Sequence, residues 1–522
     1  MQPIYTEGQS PLQSLSQKEK LWIYTGILFG ILLGALDQTV VGTSMPKVIA
    51  SLGGMKMYTW VFTAYMLAST ASAPIFGKLS DMYGRRPFYL AGMLLFMVGS
   101  ILCGLSRNMT ELILFRGLQG LSAGSMVAIA YALVADLFEF RERSKYQGYV
   151  GAVFGISSVV GPVLGGIITD LLNWRYVFFA NIPVGIIALT ILRLKMPKIS
   201  SRTRESVDYS GVFALLAAAV PMLLAFSLVG HEFSWGSLPN LALLTASALA
   251  WVGFFFIEKR TKHPFIPLDL FASRTFSMAN LAAAIVSAGM FGVVVFMPLF
   301  LQVGAGLSTT VSGMLLTPMM LIQIISSVFA GVIIAKTGRF KALIVSAVAV
   351  MAVSMFLVSG IHQQTPQGLI VLYLLLFGFG LGVTFPVFNI LTQAVVPPRR
   401  LGVATAALQF FRNIGSVIGV SIYGAILNAQ IHAEIMNKIP AQVSHRQLVM
   451  LSDPRALANP KTLSTLVQHL PNLSWKMIET LIESLRHAVA MGIGRIFLTA
   501  SLALLLAVPA VWLMAEIRTG RK

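Results

Sequence analysis

The chain has 522 residues, of which 56% are apolar and only 11% charged, with a formal net charge of +19. Soluble domains carry about 25% charged residues, so a single soluble globule is excluded. A disordered chain is excluded by the same wealth of apolar side chains.

A mean hydropathy of +0.79 and repeated apolar runs of about 20 residues, enough to cross about 30 Å of hydrocarbon, point to a polytopic membrane protein. Taken in chain order, the runs predict about fourteen spanning helices. After a tail (1–20), six fall near 21–46, 57–79, 88–105, 111–136, 146–170 and 176–194, forming an N-terminal bundle over 21–194. The first run is too long for the apolar core of a cleaved signal, contains Asp37 and lacks a small-residue cleavage exit. Two extra helices, near 208–229 and 240–257, occupy a segment of 195–275 with cytoplasmic linkers. Six more, near 276–301, 310–335, 341–360, 367–396, 401–427 and 489–516, build a C-terminal bundle over 276–516; residues 517–522 form a second tail. Barrel strands are excluded, because the runs are too long and do not alternate. The expected fold class is an all-α integral membrane protein of two six-helix bundles with two extra helices between them.

Lys and Arg concentrate in alternate loops. With the N-terminus inside, the cytoplasmic segments hold about 25 of them, whereas the short external loops hold Lys47, Lys56, Arg107 and Arg175. An even number of spans then places both termini in the cytoplasm. The positive charge therefore reports membrane orientation and not a nucleic-acid partner. A long external loop, 428–488, contains SWKMIETLIESLRHA (474–488), whose spacing predicts a short amphipathic helix. The one cysteine, Cys103, excludes an intrachain disulfide framework. External Asn108 and Asn472 head N-x-[ST] sequons, which matter only in a eukaryotic secretory pathway.

The loop GKLSDMYGRRP (77–87) has a degenerate second copy, GVIIAKTGRFK (331–341). Gly77, Gly84 and Arg85 align with Gly331, Gly338 and Arg339, but Asp81 corresponds to Ala335. Repeated bundles with a site at their interface are a common transporter plan. No phosphate loop, H-E-x-x-H pair or Cys/His metal spacing is present, so no ATP-driven pump, metal site or enzyme is expected. No cofactor is expected, and the energy for transport comes from a gradient.

Several strings resemble the major facilitator superfamily. GKLSDMYGRRP is similar to its loop signature, RGLQG (116–120) to its helix 4 signature, and GISSVVGPVLGG (155–166) to the helix 5 motif of its antiporter branch. LDQTVVGTSMP (36–46) and NWRYVFFANIPVG (173–185) resemble the fourteen-helix drug:proton antiporters. The resemblance implies multidrug efflux, with antibiotic resistance as its consequence, in the cell membrane of a bacterium. It also links an arginine at the position of Arg116 to proton transfer near helix 1, and associates the helix 5 motif with exchange.

The residues have their own physical reading. Asp37 lies deep in the first span, and an acid inside the membrane is a functional hypothesis by default. Arg116 and, one turn on, Gln119 share a face of helix 4. In the gating loop, Gly77 and Gly84 permit close approach and tight turning. Asp81 can accept from Arg85 or from a helix N-terminus, with Arg86 beside it and DLFEFRERSK (136–145) as partner. In helix 5, Gly155, Gly161, Pro162, Gly165 and Gly166 form a packing face. Gln38, Tyr65, Gln119, Phe154, Phe291, Phe385, Asn389 and Arg412 are candidates to line the cavity, where aromatic rings suit lipophilic guests.

One proton falling through 100 mV and one pH unit releases about 3.7 kcal/mol, enough for a gradient of about 500-fold for a neutral solute. A monovalent cation exchanged for one proton moves no net charge, which leaves about tenfold. The expected function is therefore a proton-coupled exporter of neutral or monovalent cationic lipophilic compounds, working as a monomer in the bilayer. Export of a lipid or a defined metabolite, or a non-transporting receptor, are the alternatives.

Overall fold

The computed structural model describes residues 11–53, 57–197, 208–229, 233–262, 264–438 and 475–514. In hydrocarbon every backbone N–H and C=O must be satisfied within the segment, and a helix does this without a partner. The described residues accordingly contain only an isolated β-bridge outside helices and turns. The helices are α1 (Gln17–Leu52), α2 (Tyr58–Tyr83), α3 (Arg85–Leu105), α4 (Met109–Leu137), α5 (Phe140–Leu171), α6 (Arg175–Phe179) and α7 (Asn181–Lys195). The pair α8 (Tyr209–Leu228) and α9 (Leu238–Arg260) follows. Then come α10 (Arg274–Leu299), α11 (Thr309–Thr337), α12 (Lys341–Ser359), α13 (Gln367–Ala394), α14 (Leu401–Lys438) and α15 (Trp475–Trp512).

Thirteen of these stretches, with α6 and α7 counted as one, are long and apolar enough to cross a membrane. The fourteenth is α2. Its Thr59, Thr63, Ser69, Thr70 and Ser72 lower its hydropathy, but it packs inside, along α4, α8 and α14. Around fourteen spans therefore stand. The sixth expected helix, 176–194, is broken at Ala180 into α6 and α7.

The far end of the C-terminal bundle differs from expectation. Helix α14 continues past 427 to Lys438, and 475–488 are the opening turns of α15 and not a separate surface helix. The sequence period there could not separate a free amphipathic helix from the extension of a span. The middle of the expected 428–488 loop, with Asn472, lies outside the described residues, as do most of the two tails and residues 198–207 of the linker.

Each bundle has its own core. Ile27, Tyr89, Phe96, Tyr131 and Phe138 belong to that of α1–α7, and Phe296, Phe340, Met351, Phe377 and Phe497 to that of α10–α15. The bundles meet along two seams, α5 against α11 and α13, and α2 and α4 against α14. The α8–α9 pair lies over the second seam, where Leu215, Phe254 and Phe265 pack with Phe410 and Ile75. Large apolar side chains such as Leu114, Leu171, Phe213 and Leu238 are exposed on the outside, as a lipid-facing surface requires.

One end, hereafter the loop end, gathers the start of α1, the 77–87 loop, the start of α5 and the end of α7. Tyr24 donates to the Tyr146 carbonyl and Arg86 to that of Arg193 there. The seams close tightly near this end. A Cβ on Gly148 would meet the Ser327 carbonyl oxygen at 2.7 Å, and one on Gly77 the Gly402 carbonyl oxygen at 2.9 Å. Ser144 donates to the Gly331 carbonyl, and Gln147 to Gln393 at 2.7 Å.

Gly166, by contrast, has open space beside it. Gly148→Ala is therefore expected to destabilise the fold by about 1–3 kcal/mol through overpacking. Gly166→Ala, on the same helix, is expected to be neutral or stabilising by up to about 1 kcal/mol. Melting temperatures of the two variants in one detergent check the contrast.

Candidate functional site

Asp37 lies deep in α1 and is 2% exposed. An ionised carboxylate there must be compensated by neighbours. Arg116 Nη1 donates to Asp37 Oδ2 at 2.5 Å, and Gln119 Nε2 and Asn181 Nδ2 donate to Oδ1 at 2.9 and 3.2 Å. Arg116 also donates to Gln119 Oε1 at 2.8 Å, which fixes the amide so that its nitrogen faces the acid. Ser100 on α3 accepts from Asn181 at 3.0 Å and donates to the Phe178 carbonyl. The Tyr65 ring of α2 covers the guanidinium, 4.1 Å from its centroid, and Cys103 reaches Gln119 Oε1 at 3.7 Å. Side chains from α1, α2, α3, α4 and α7 thus converge on one carboxylate.

Local sequence explains the convergence. Arg116 and Gln119, three apart on α4, present one face. Asn181 opens α7 directly after the break at Ala180, and Pro183 fits in that first turn, where a missing N–H costs nothing. The helix 5 motif supports the site from behind. Gly161 lies against Thr39, and Gly165 against Thr43 and Val40, while Thr39 donates to the Ser157 carbonyl at 3.1 Å. Gly155 faces the other way, onto Ile324 of α11. Pro162 lies within α5, and Gly166 makes no close contact.

The 77–87 loop forms a second polar centre at the loop end. Gly402 and Val403, in the first turn of α14, donate their N–H groups to the two oxygens of Asp81 at 3.0 and 2.9 Å. A helix N-terminus favours such a negative charge. Arg85 pairs with Asp81 and with Asp136 Oδ2, the latter at 2.8 Å. Asp81 thus ties α2 of one bundle to α14 of the other. Gly84 turns the chain between α2 and α3 at φ 99, a conformation side chains resist.

Of the cavity candidates, Phe154 and Phe385 meet across the bundles at 5.9 Å between ring centroids. Arg412 covers Phe385 at 4.8 Å and, with Asn389, donates to its backbone carbonyl. Tyr65 and Gln119 belong to the Asp37 network instead. Gln38 is exposed, and Phe291, half-buried on α10, makes no ring contact among the described residues.

Two helical bundles pinned together at one end, with a balanced charge pair sealed inside the first, define a two-bundle membrane transporter. Residues 27–420 match the family model of the Major Facilitator Superfamily, and the chain belongs to that family. It is 39% identical over 435 residues to the multidrug transporter protein MdtP of Bacillus subtilis, covering 82% of this chain and 80% of that one. It is 35% identical over 410 residues to multidrug resistance protein 3 of the same organism, covering 78% and 80%. Among solved structures, the proton:xylose symporter XylE superposes with a TM-score of 0.60 at 15% identity, over 95% of this chain and 96% of that one, a likeness of fold.

Ser100 and Asn181 escaped the sequence reading, since neutral polar residues in apolar runs carry no distinguishing signal. The N-x-P triplet 181–183 was the available hint, because it marks a helix start inside a span. The latch gives a direct expectation. Asp81→Asn loses charge-assisted bonds to two backbone N–H groups and to Arg85, so transport turnover should fall by about tenfold with substrate KM within about twofold. Initial rates in proteoliposomes across a substrate series measure both.

Proposed function

We propose that this transporter is a proton-coupled antiporter that exports lipophilic, drug-like compounds by alternating access. It works as a monomer in the cell membrane of a bacterium, with the loop end and both termini in the cytoplasm. The observation that carries the reading is the burial of Asp37 among Arg116, Gln119 and Asn181. The positive residues of the loop end support the orientation, and the two multidrug relatives support the substrate class.

In this reading a proton arriving from outside neutralises Asp37 and leaves Arg116 without its counter-charge. The donors around the acid then rearrange, and substrate leaves outward. Loss of the proton toward the cytoplasm restores the ion pair and the substrate-binding state. Competition between proton and substrate for one charge state yields exchange without a second proton site, because coupling between two ligands is reciprocal. One proton supplies about 3.7 kcal/mol, which suits neutral and singly charged substrates better than divalent cations.

Asp37→Asn removes the titratable group and leaves Arg116 uncompensated, a loss of about 3–5 kcal/mol at a buried pair. Transport driven by an imposed pH gradient should vanish in proteoliposomes, while the variant still inserts and equilibrates substrate down its own gradient. Undiminished pH-driven efflux of a lipophilic dye by this variant would end the coupling proposal.

A further inference from the structure

The N-terminal bundle answers its deeply buried Arg116 with an acid, but the C-terminal bundle gives Arg412 none. Arg412 stands about three turns into α14 and is 7% exposed. Among the described residues no carboxylate lies within ion-pair distance of it. Its Nη2 donates to the Phe385 carbonyl at 3.1 Å, and its guanidinium lies over the Phe385 ring. Its Nη1 makes no well-formed hydrogen bond.

A further buried polar atom nearby is also unpaired. Asn389 donates to the same Phe385 carbonyl at 2.9 Å, which leaves its Oδ1 without a partner. Tyr131 of α4 faces Arg412 across the seam between the bundles, with its buried hydroxyl within side-chain hydrogen-bonding reach of the guanidinium. Phe154 of α5 closes the group against Phe385. The cluster offers one full positive charge, a hydroxyl and an amide oxygen, walled by two rings, at the boundary between the moving halves.

A buried guanidinium without a counter-charge is among the least favourable arrangements in a membrane protein, and a ligand that supplies the charge relieves it. Guanidinium nitrogens bind anionic oxygens with short, directed hydrogen bonds. We infer that Arg412, with Tyr131 beside it, anchors the carboxylate of amphiphilic substrates whose ring systems lie against Phe385 and Phe154. The inference rests on the transport reading and widens its substrates from neutral and cationic compounds to organic anions. The energetics agree. Exchanging an outgoing monoanion for an incoming proton moves two charges down an inside-negative potential, whereas exchanging a monovalent cation moves none.

The test uses the full-length protein in nanodiscs and three probes with one ring system: pyrenebutyrate, its methyl ester and pyrenebutylamine, titrated by fluorescence without a pH gradient. The native protein is expected to bind the carboxylate at least about tenfold more tightly than the amine. Arg412→Gln should erase that preference and leave ester affinity within about twofold, and Arg412→Lys should restore part of it. Tyr131→Phe should weaken the carboxylate alone, which keeps the test decisive if Arg412→Gln fails to fold. Native preference for the amine, or unchanged carboxylate binding in the Arg412 or Tyr131 variants, overturns the inference. Because binding is read without transport, a carboxylate preference that survives while pH-driven transport is absent removes only the antiport reading. Asp37-dependent transport without that preference removes only the anion site.

Discussion

An ionised carboxylate cannot stand alone in a low-dielectric interior, and much of the N-terminal bundle follows from that constraint. Asp37 is held by Arg116, Gln119 and Asn181, and these are held in turn by Ser100, Tyr65 and Cys103. Five helices lend a side chain to the arrangement, so the way they pack and the electrostatic state of one acid are the same problem. The break at Ala180 fits this account, because it delivers Asn181 to the acid at the start of a helix. The glycine face of α5 belongs to it as well, since Gly161 and Gly165 let the helix lie flush on Thr39 and Thr43, just beyond Asp37 on α1.

The two bundles share a plan but not its chemistry. At the first joint, Asp81 caps α14 and holds Arg85. At its repeat the acid is replaced by Ala335. Gly331 instead sits directly on the backbone at Ser144, whose hydroxyl donates to its carbonyl. Both loops keep a glycine at positive φ, 99 for Gly84 and 64 for Gly338, so the turn was retained where the charge was lost. The first seam therefore adds charged bonds at a helix end to its close backbone contact at Gly77, while the second combines close backbone contact with neutral hydrogen bonds.

The helices and the charged members of the site were legible because each violates or satisfies a strong rule. Twenty apolar residues in a row can do little but span, and Asp37 and Arg116 stand out as ions where ions are costly. The 77–87 string was legible as a joint, and Asp136 as lying in its partner segment. That Asp81 would cap α14 could be anticipated only in kind, because backbone N–H groups leave no residue signature. Ser100 and Asn181 were hidden among other small and amide side chains, and only three-dimensional convergence singles them out. The ends of α14 and α15 were missed because amphipathic periodicity is the same in a helix lying on a membrane and in one that rises above it.

Cys103, the single thiol of the chain, is fully buried against the Gln119 amide. Its sulfur is sealed away from water-soluble reagents by the same packing that protects the acid. The wild-type polypeptide is therefore already a silent background for maleimide chemistry. A cysteine introduced at the loop end would be the one thiol open to such reagents, and its modification rate would report directly on the exposure of that end.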